Sequence, residues 1–297
     1  MGGRGKEGKP LRDAASARIR RRYKRGPWMK KLSLSQAWDE SRAVLARDGR
    51  LLGSVALALV VLPQTIIGLI APASAGEPSS LTLTLLGITG IIGMIAQIAI
   101  NRLAIGPSIT VGAAIGRGFT RMPALLGSFL LLVIALFLIL IPIVLLLGVA
   151  GLIAEPAAGN EAPAGFLLLI LLLAALGYAI FQLTIPVAAA ETGGSIHLLT
   201  RSWRLSRGNY WRLLAFVLLL FACLIVVLIA GQYGLGAMIA VALGPPEALS
   251  LSALVISLVV ALIQALFMVI FAVMLARIYV QLAGAGEAQP SVPSSGT

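Results

Sequence analysis

Charged residues are scarce in this chain. Asp, Glu, Lys and Arg make up 11% of its 297 residues, whereas apolar residues make up 59%, and the mean hydropathy is +1.00. Soluble domains carry roughly 25% charged residues, and a water-soluble fold with less than half of that supply could not cover its surface. The composition excludes a soluble globular protein and indicates an integral membrane protein.

Cysteine and histidine are rarer still, with one residue of each. The single cysteine, Cys223, excludes an intramolecular disulfide and a thiol cluster for a metal. The single histidine, His197, lies in an arginine-rich segment without a second candidate ligand near it in sequence. Since no nucleophile–base pair is recognisable either, we predict a protein that is not an enzyme and that has no catalytic residue, cofactor or metal site.

What the chain has instead is a set of long uncharged runs. Six segments of 24 residues or more contain no charged residue: 51–75, 78–101, 122–154, 162–190, 213–246 and 248–276. A helix needs about 20 apolar residues to cross a hydrocarbon core of about 30 Å, and the runs lack the alternation of an outer-membrane strand. The sequence therefore predicts an all-α, polytopic bundle of six transmembrane helices.

The basic residues fall on one side of these six spans. Residues 1–50 contain 15 of the 23 Lys and Arg residues, and the other eight lie at or after the ends of the second, fourth and sixth spans. The alternate loops contain four glutamates and no basic residue. Because Lys- and Arg-rich loops stay in the cytoplasm, both termini are predicted to be cytoplasmic. The Ala-, Gly-, Leu- and Arg-rich composition points to a bacterial cell inner membrane.

An internal threefold repeat organises the spans. Leu-Leu pairs open the odd-numbered spans at residues 51, 125 and 213, and each pair follows a basic, partly amphipathic segment. The pattern predicts three hairpin repeats, each preceded by a cytoplasmic-side interfacial helix, over about 33–104, 108–190 and 195–283 within a membrane domain of 33–283. Residues 1–32 and 284–297 are predicted to be disordered cytoplasmic tails, because they can bury little apolar surface.

Local signals predict where individual helices begin and end. Ser33 and Gln36 have capping-box spacing, and Ser195 is expected to cap the third interfacial helix. Gly208-Asn209 is expected to end that helix with a left-handed residue. The glycine-rich run 231–236 is expected to end or break the fifth span.

The segment from Glu191 to Arg212 is the candidate functional site. It combines the only histidine and two tryptophans with four arginines: Arg201, Arg204, Arg207 and Arg212. It is either a positive-inside anchor or a site for anionic lipid or phosphate in which Glu191 orients an arginine, because guanidinium groups suit phosphate oxygens. The predicted anchors in the headgroup layer are Trp28, Trp38, Trp203 and Trp211.

Uncharged polar and small residues inside the spans have two interpretations. Four residues are predicted to make polar contacts in the bundle: Gln97, Asn101, Gln182 and Gln264. They are either hydrogen-bonding partners between helices or the polar lining of a cavity for a substrate or lipid. The glycines at 87, 90 and 93 are predicted to form a close-packing face.

One stretch resembles a known family. It comprises Ile185-Pro-Val, Glu191 and the run Thr200-Arg-Ser-Trp-Arg-Leu-Ser-Arg-Gly-Asn-Tyr-Trp-Arg212. It is similar over about 30 residues to the bacterial family known as the glycerophosphoryl diester phosphodiesterase membrane domain, and more loosely over 33–283. The resemblance implies a membrane domain that accompanies a catalytic domain in some proteins. We do not expect the catalytic domain in this chain, because one histidine does not match its metal-binding set.

These observations favour a non-enzymatic membrane scaffold or accessory protein. Its expected partners are anionic lipid headgroups and other membrane proteins, and nucleic acid is not expected to be one. The alternative is a transporter or lipid-translocating protein that uses the helical bundle as a path.

Overall fold

Seven helices make up the described part of the protein. The computed structural model describes residues 32–72, 79–106, 109–149, 173, 177–178 and 181–284. Its helices are α1 (Leu34–Ile70), α2 (Ser80–Ile105), α3 (Val111–Val149), α4 (Thr184–Ala190), α5 (Ser195–Ser206), α6 (Tyr210–Leu243) and α7 (Leu251–Ala283). The prediction of an all-α fold is confirmed.

Five of these helices, α1, α2, α3, α6 and α7, are long and apolar enough to cross a membrane. The predicted fourth span, 162–190, lies mostly outside the described residues, as do both predicted tails and Trp28. Six spans and a threefold hairpin repeat therefore stay predictions.

Two of the three predicted interfacial helices are not separate elements. α1 runs unbroken from its amphipathic beginning into the apolar run, and α3 does the same, passing through Pro123 and Pro142. A helix that continues keeps its backbone groups paired, which matters most in lipid, and proline is tolerated in such helices. Only the third segment is separate, because α5 ends at Ser206 and α6 begins at Tyr210.

The local capping signals have mixed outcomes. The Ser33 cap is confirmed, since the Gln36 amide donates to Ser33 Oγ at 3.3 Å. The Ser195 cap is wrong: Gly194 holds the cap position, and no side chain caps α5. The left-handed stop is wrong too, because Asn209 has a φ of −134°. Its side-chain oxygen instead accepts a hydrogen bond from the Leu32 amide at 3.0 Å.

Two π-helical turns interrupt long helices without ending them. In α1, the turn Leu57–Val61 ends two residues before Pro63, whose missing amide hydrogen breaks the regular bonding pattern. In α6, the turn Ala230–Leu235 coincides with the glycine-rich run, and the helix then continues to Leu243. That run therefore distorts the span and does not end it.

α7 is the central helix of the described part, with contacts to α1, α2, α4, α5 and α6. Its tight packing lies in its second half, where Val269 to Tyr279 are largely buried. The buried residues of α2 also lie in its second half, from Ile95 to Ala104. Alanines at this contact, such as Ala99, Ala272 and Ala276, let the helices approach closely. The bundle is therefore closely packed at one end and looser at the other.

Candidate functional site

The side chain of Glu191, directly after α4, is the centre of the candidate site. It is about 20% exposed, and its Oε1 atom accepts hydrogen bonds from Arg201 Nε and from the Tyr279 hydroxyl, both at 2.9 Å. Its Oε2 atom lies 3.2 Å from His197 Nε2. One carboxylate thus connects α5 with the second half of α7. We call Glu191, His197, Arg201 and Tyr279 the Glu191 network.

Two arginines of α3 hold the backbone of the same loop. Arg117 Nη2 and Arg121 Nη2 donate to the carbonyl oxygen of Glu191, at 2.9 and 3.0 Å. Arg121 Nη1 also donates to the Gly193 carbonyl at 3.0 Å. The last carbonyls of a helix such as α4 lack partners within the helix and carry partial negative charge. The arginines give these carbonyls hydrogen-bond donors, offset their negative charge and fix the loop to α3.

Other arginines meet backbone carbonyls at the same end of the bundle. Arg102 donates to the Gly106 carbonyl at 2.8 Å, and Arg277 donates to the Ala104 carbonyl, so both cover the end of α2. Arg212 donates to the Leu32 carbonyl at 2.9 Å and thereby ties the beginning of α6 to that of α1. We call this closely packed end the arginine end. Its arginines hold helix ends together.

The charge state of Glu191 follows from competing effects. Burial disfavours its charged form, but hydrogen bonds from Arg201, Tyr279 and His197 outweigh burial and hold the pKa of Glu191 below its ordinary value. The carboxylate is therefore ionised at neutral pH. Its two oxygens are engaged by three side chains, so it acts as a hydrogen-bond acceptor that joins α5 to α7.

The structure separates the four arginines of the candidate segment into two kinds. Arg201 is 19% exposed and pairs with Glu191, whereas Arg204 and Arg207 lie exposed at the surface. Arg212 is exposed and also engages the Leu32 carbonyl. The predicted contact between Glu191 and an arginine is present, and the arginine is Arg201.

The three described tryptophans are partly exposed. Trp38, Trp203 and Trp211 are 45%, 50% and 75% exposed, as side chains in a headgroup layer would be.

Sequence reasoning missed three residues that contribute to the site, Arg117, Arg121 and Tyr279. The spacing of the two arginines, one helical turn apart, was the only signal for them. Nothing in the sequence pointed to Tyr279, which is fully buried.

The two interpretations of the polar residues in the spans apply to different residues. Asn101 donates to the Gln97 carbonyl of its own helix at 2.9 Å, not to a neighbouring helix. Gln182 is buried, with 1% exposure. Gln97 and Gln264, together with Gln64, line a cavity of about 760 Å³ between α1, α2 and α7. Two of the four predicted polar residues therefore belong to a cavity.

Five apolar helices of spanning length define a multi-span integral membrane protein. The chain belongs to the family DUF7847, a domain of unknown function, whose model matches residues 32–282. No curated protein and no solved structure matches the chain. Since the match covers nearly all described residues, the Glu191 network and the cavity both lie within the family domain.

Proposed function

We propose that this protein is a non-enzymatic membrane scaffold or accessory protein that binds anionic lipid headgroups through Arg204 and Arg207. The observation that supports it is the division of labour in the candidate segment. The Glu191 network holds α5 by Arg201, while Arg204 and Arg207 are exposed beside the half-exposed Trp203. Guanidinium groups suit lipid phosphates, and an interfacial helix with exposed arginines attracts anionic lipid.

The proposal includes the arrangement in the membrane. We propose six spans in a bacterial inner membrane. The arginine end lies at the cytoplasmic face, and partner membrane proteins bind at that face. The one-sided distribution of Lys and Arg supports the orientation. The resemblance to the phosphodiesterase membrane domain supports a membrane role.

The orientation is tested with single cysteines. In a Cys223→Ser background, Thr192→Cys lies at the arginine end and Glu247→Cys lies between α6 and α7; both positions are exposed. A membrane-impermeant maleimide should label Glu247→Cys in intact bacterial cells and Thr192→Cys only after permeabilisation. The cysteine-free parent controls for background. Labelling of Thr192→Cys in intact cells would contradict the orientation.

The lipid site is tested by removing its two exposed arginines. The double variant Arg204→Gln/Arg207→Gln should lose bound phosphatidylglycerol, because each basic residue near an anionic surface contributes about 1 kcal/mol. We expect the apparent affinity to fall roughly thirtyfold, measured by native mass spectrometry of the purified full-length protein.

A matched control removes two exposed arginines elsewhere. Arg42 and Arg50 lie exposed on α1, so Arg42→Gln/Arg50→Gln changes net charge equally. An equal loss of phosphatidylglycerol in both double variants would leave only a general positive surface and would refute a site on α5. Retention in Arg204→Lys/Arg207→Lys would show that charge, and not guanidinium geometry, is what the site needs.

A second candidate function, transport or translocation of a lipid, is favoured by the cavity between α1, α2 and α7. Transport requires an internal binding site, and the cavity provides a candidate site away from the arginine end. The single measurement that decides between the two functions is substrate-dependent flux in liposomes containing the purified protein.

A further inference from the structure

The cavity between α1, α2 and α7 lies towards the end of the bundle opposite the arginine end. Ala71, Pro72 and Pro246, which follow the far ends of α1 and α6, line one extremity, and Gln97 and Met268 line the other. Its volume of about 760 Å³ is within the range of small-molecule sites, roughly 300–1,000 Å³. It is therefore large enough for a ligand of moderate size.

The cavity exists because α1 and α7 are in close contact with each other here, whereas α2 does not pack closely against them. A Cβ atom at Gly68 of α1 would lie 2.5 Å from Ser257 Cβ of α7, so these two helices touch there. By contrast, a Cβ atom at Gly90 or Gly93 of α2 would meet no described atom within 4 Å. Gly90 and Gly93 thus line an opening, and the prediction of a close-packing face on α2 is wrong.

Five polar side chains line this opening, and three of them are glutamines, one from each helix; the other two are Thr89 and Ser257. Gln64, Gln97 and Gln264 are all partly buried. The Oε1 atom of Gln64 is buried without a hydrogen-bond partner among the described residues. A buried acceptor without a donor is costly, so a ligand that brings a hydroxyl or amide donor would relieve that cost.

The rest of the lining defines the class of ligand. Among the described residues that line the cavity there is no Lys, Arg, Asp, Glu or His, and most are apolar. A charged headgroup would have no counter-charge there, which is unfavourable at membrane depth. Along α7 the lining runs from Ala253 to Met268, about 22 Å at 1.5 Å per residue. An elongated apolar chain fits this shape.

We propose that this cavity binds a neutral lipid with a hydroxyl group, such as a diacylglycerol. The hydroxyl donates to Gln64 Oε1, and the amides of Gln97 and Gln264 face the remaining polar atoms of the headgroup. An acyl chain lies along α2 and α7. This site is separate from the proposed anionic-lipid contacts at the arginine end and takes a ligand of opposite electrostatic character.

The experiment uses two photoactivatable lipids with identical chains, a diacylglycerol and a phosphatidic acid, on the purified full-length protein. The diacylglycerol should label peptides of α2 and α7, and competition with unlabelled diacylglycerol should remove that label. The phosphatidic acid should not label these peptides. Gln64→Leu/Gln264→Leu should reduce diacylglycerol labelling up to about tenfold, since each lost hydrogen bond weakens binding.

A filling variant with a matched control separates occupancy from misfolding. Gly90→Trp should abolish the diacylglycerol label, whereas Gly87→Trp should keep it. Gly87 is on the same helix, has no described atom near its Cβ position and does not line the cavity. Equal labelling of both tryptophan variants, equal labelling of the glutamine variant and the wild type, or equal labelling by the two lipids would each overturn the proposal. Thermal unfolding of every variant verifies that it is folded.

Discussion

Replacing Glu191 with alanine is expected to lower the free energy of unfolding by about 3 kcal/mol, because the change removes the carboxylate that joins α5 to α7. Arg201 Nε and the Tyr279 hydroxyl both donate to Glu191 Oε1 at 2.9 Å. Breaking a buried ion pair from one side costs about 3–5 kcal/mol, and the 20% exposure of Glu191 places this one at the lower end. Thermal unfolding in detergent, followed by circular dichroism, measures the loss.

The control for this variant is a glutamate without such surroundings. Glu247 is exposed between α6 and α7, so Glu247→Ala should change stability by less than about 0.5 kcal/mol. Glu191→Gln should fall between the two, because its amide oxygen still accepts hydrogen bonds but carries no charge. If Glu191→Ala were as stable as Glu247→Ala, the Glu191 network would not hold α5 to α7.

The pH dependence of the same comparison has a definite sign. The pKa of Glu191 is lower in the folded protein than its ordinary value, so the folded state favours the carboxylate. Its contribution to stability is complete at neutral pH and is lost as pH falls through the lowered pKa. The stability difference between the wild type and Glu191→Gln should therefore be constant near neutrality and shrink under acid conditions.

The sequence indicated which segment carries the site but not what surrounds it. Glu191 and Arg201 stand out because they lie in one short run with an unusual density of arginine, histidine and tryptophan. Arg121 and Tyr279 join them from 70 and 88 residues away. Such contacts depend on how helices pack, which a local pattern does not encode. The same limit explains why the sequence did not distinguish the paired Arg201 from the exposed Arg204.

The apolar spans could be predicted from the sequence, but the boundaries of the helices could not. A run of more than about 20 apolar residues has one stable solution in lipid, a helix with all of its backbone groups paired. The same rule explains why α1 passes Pro63 by a π turn and α3 continues through Pro123. Helix-breaking residues mark helix ends reliably in water, because an unpaired carbonyl can form a hydrogen bond with solvent. They mark helix ends poorly in a membrane protein.

Gly118→Ala is expected to destabilise the protein by about 2 kcal/mol, because it adds an atom where two helices touch. A Cβ atom there would lie 2.7 Å from the carbonyl oxygen of Ile95 in α2 and 2.8 Å from its Cγ2 atom. A backbone carbonyl cannot rotate away as a side chain can, so α3 must move, and overpacking of this kind costs about 1–3 kcal/mol. Thermal unfolding of the purified protein measures the effect.

Gly116 provides the matched comparison two residues earlier on the same helix. It is exposed, and a Cβ atom there would meet no described atom within 4 Å. Gly116→Ala should therefore be neutral or stabilising by up to about 1 kcal/mol, since alanine favours a helix over glycine. The two substitutions have identical chemistry and should have opposite signs. Equal stability changes would mean that α2 and α3 do not touch at Gly118, and the position of Arg117 and Arg121 against the Glu191 loop would lose its structural basis.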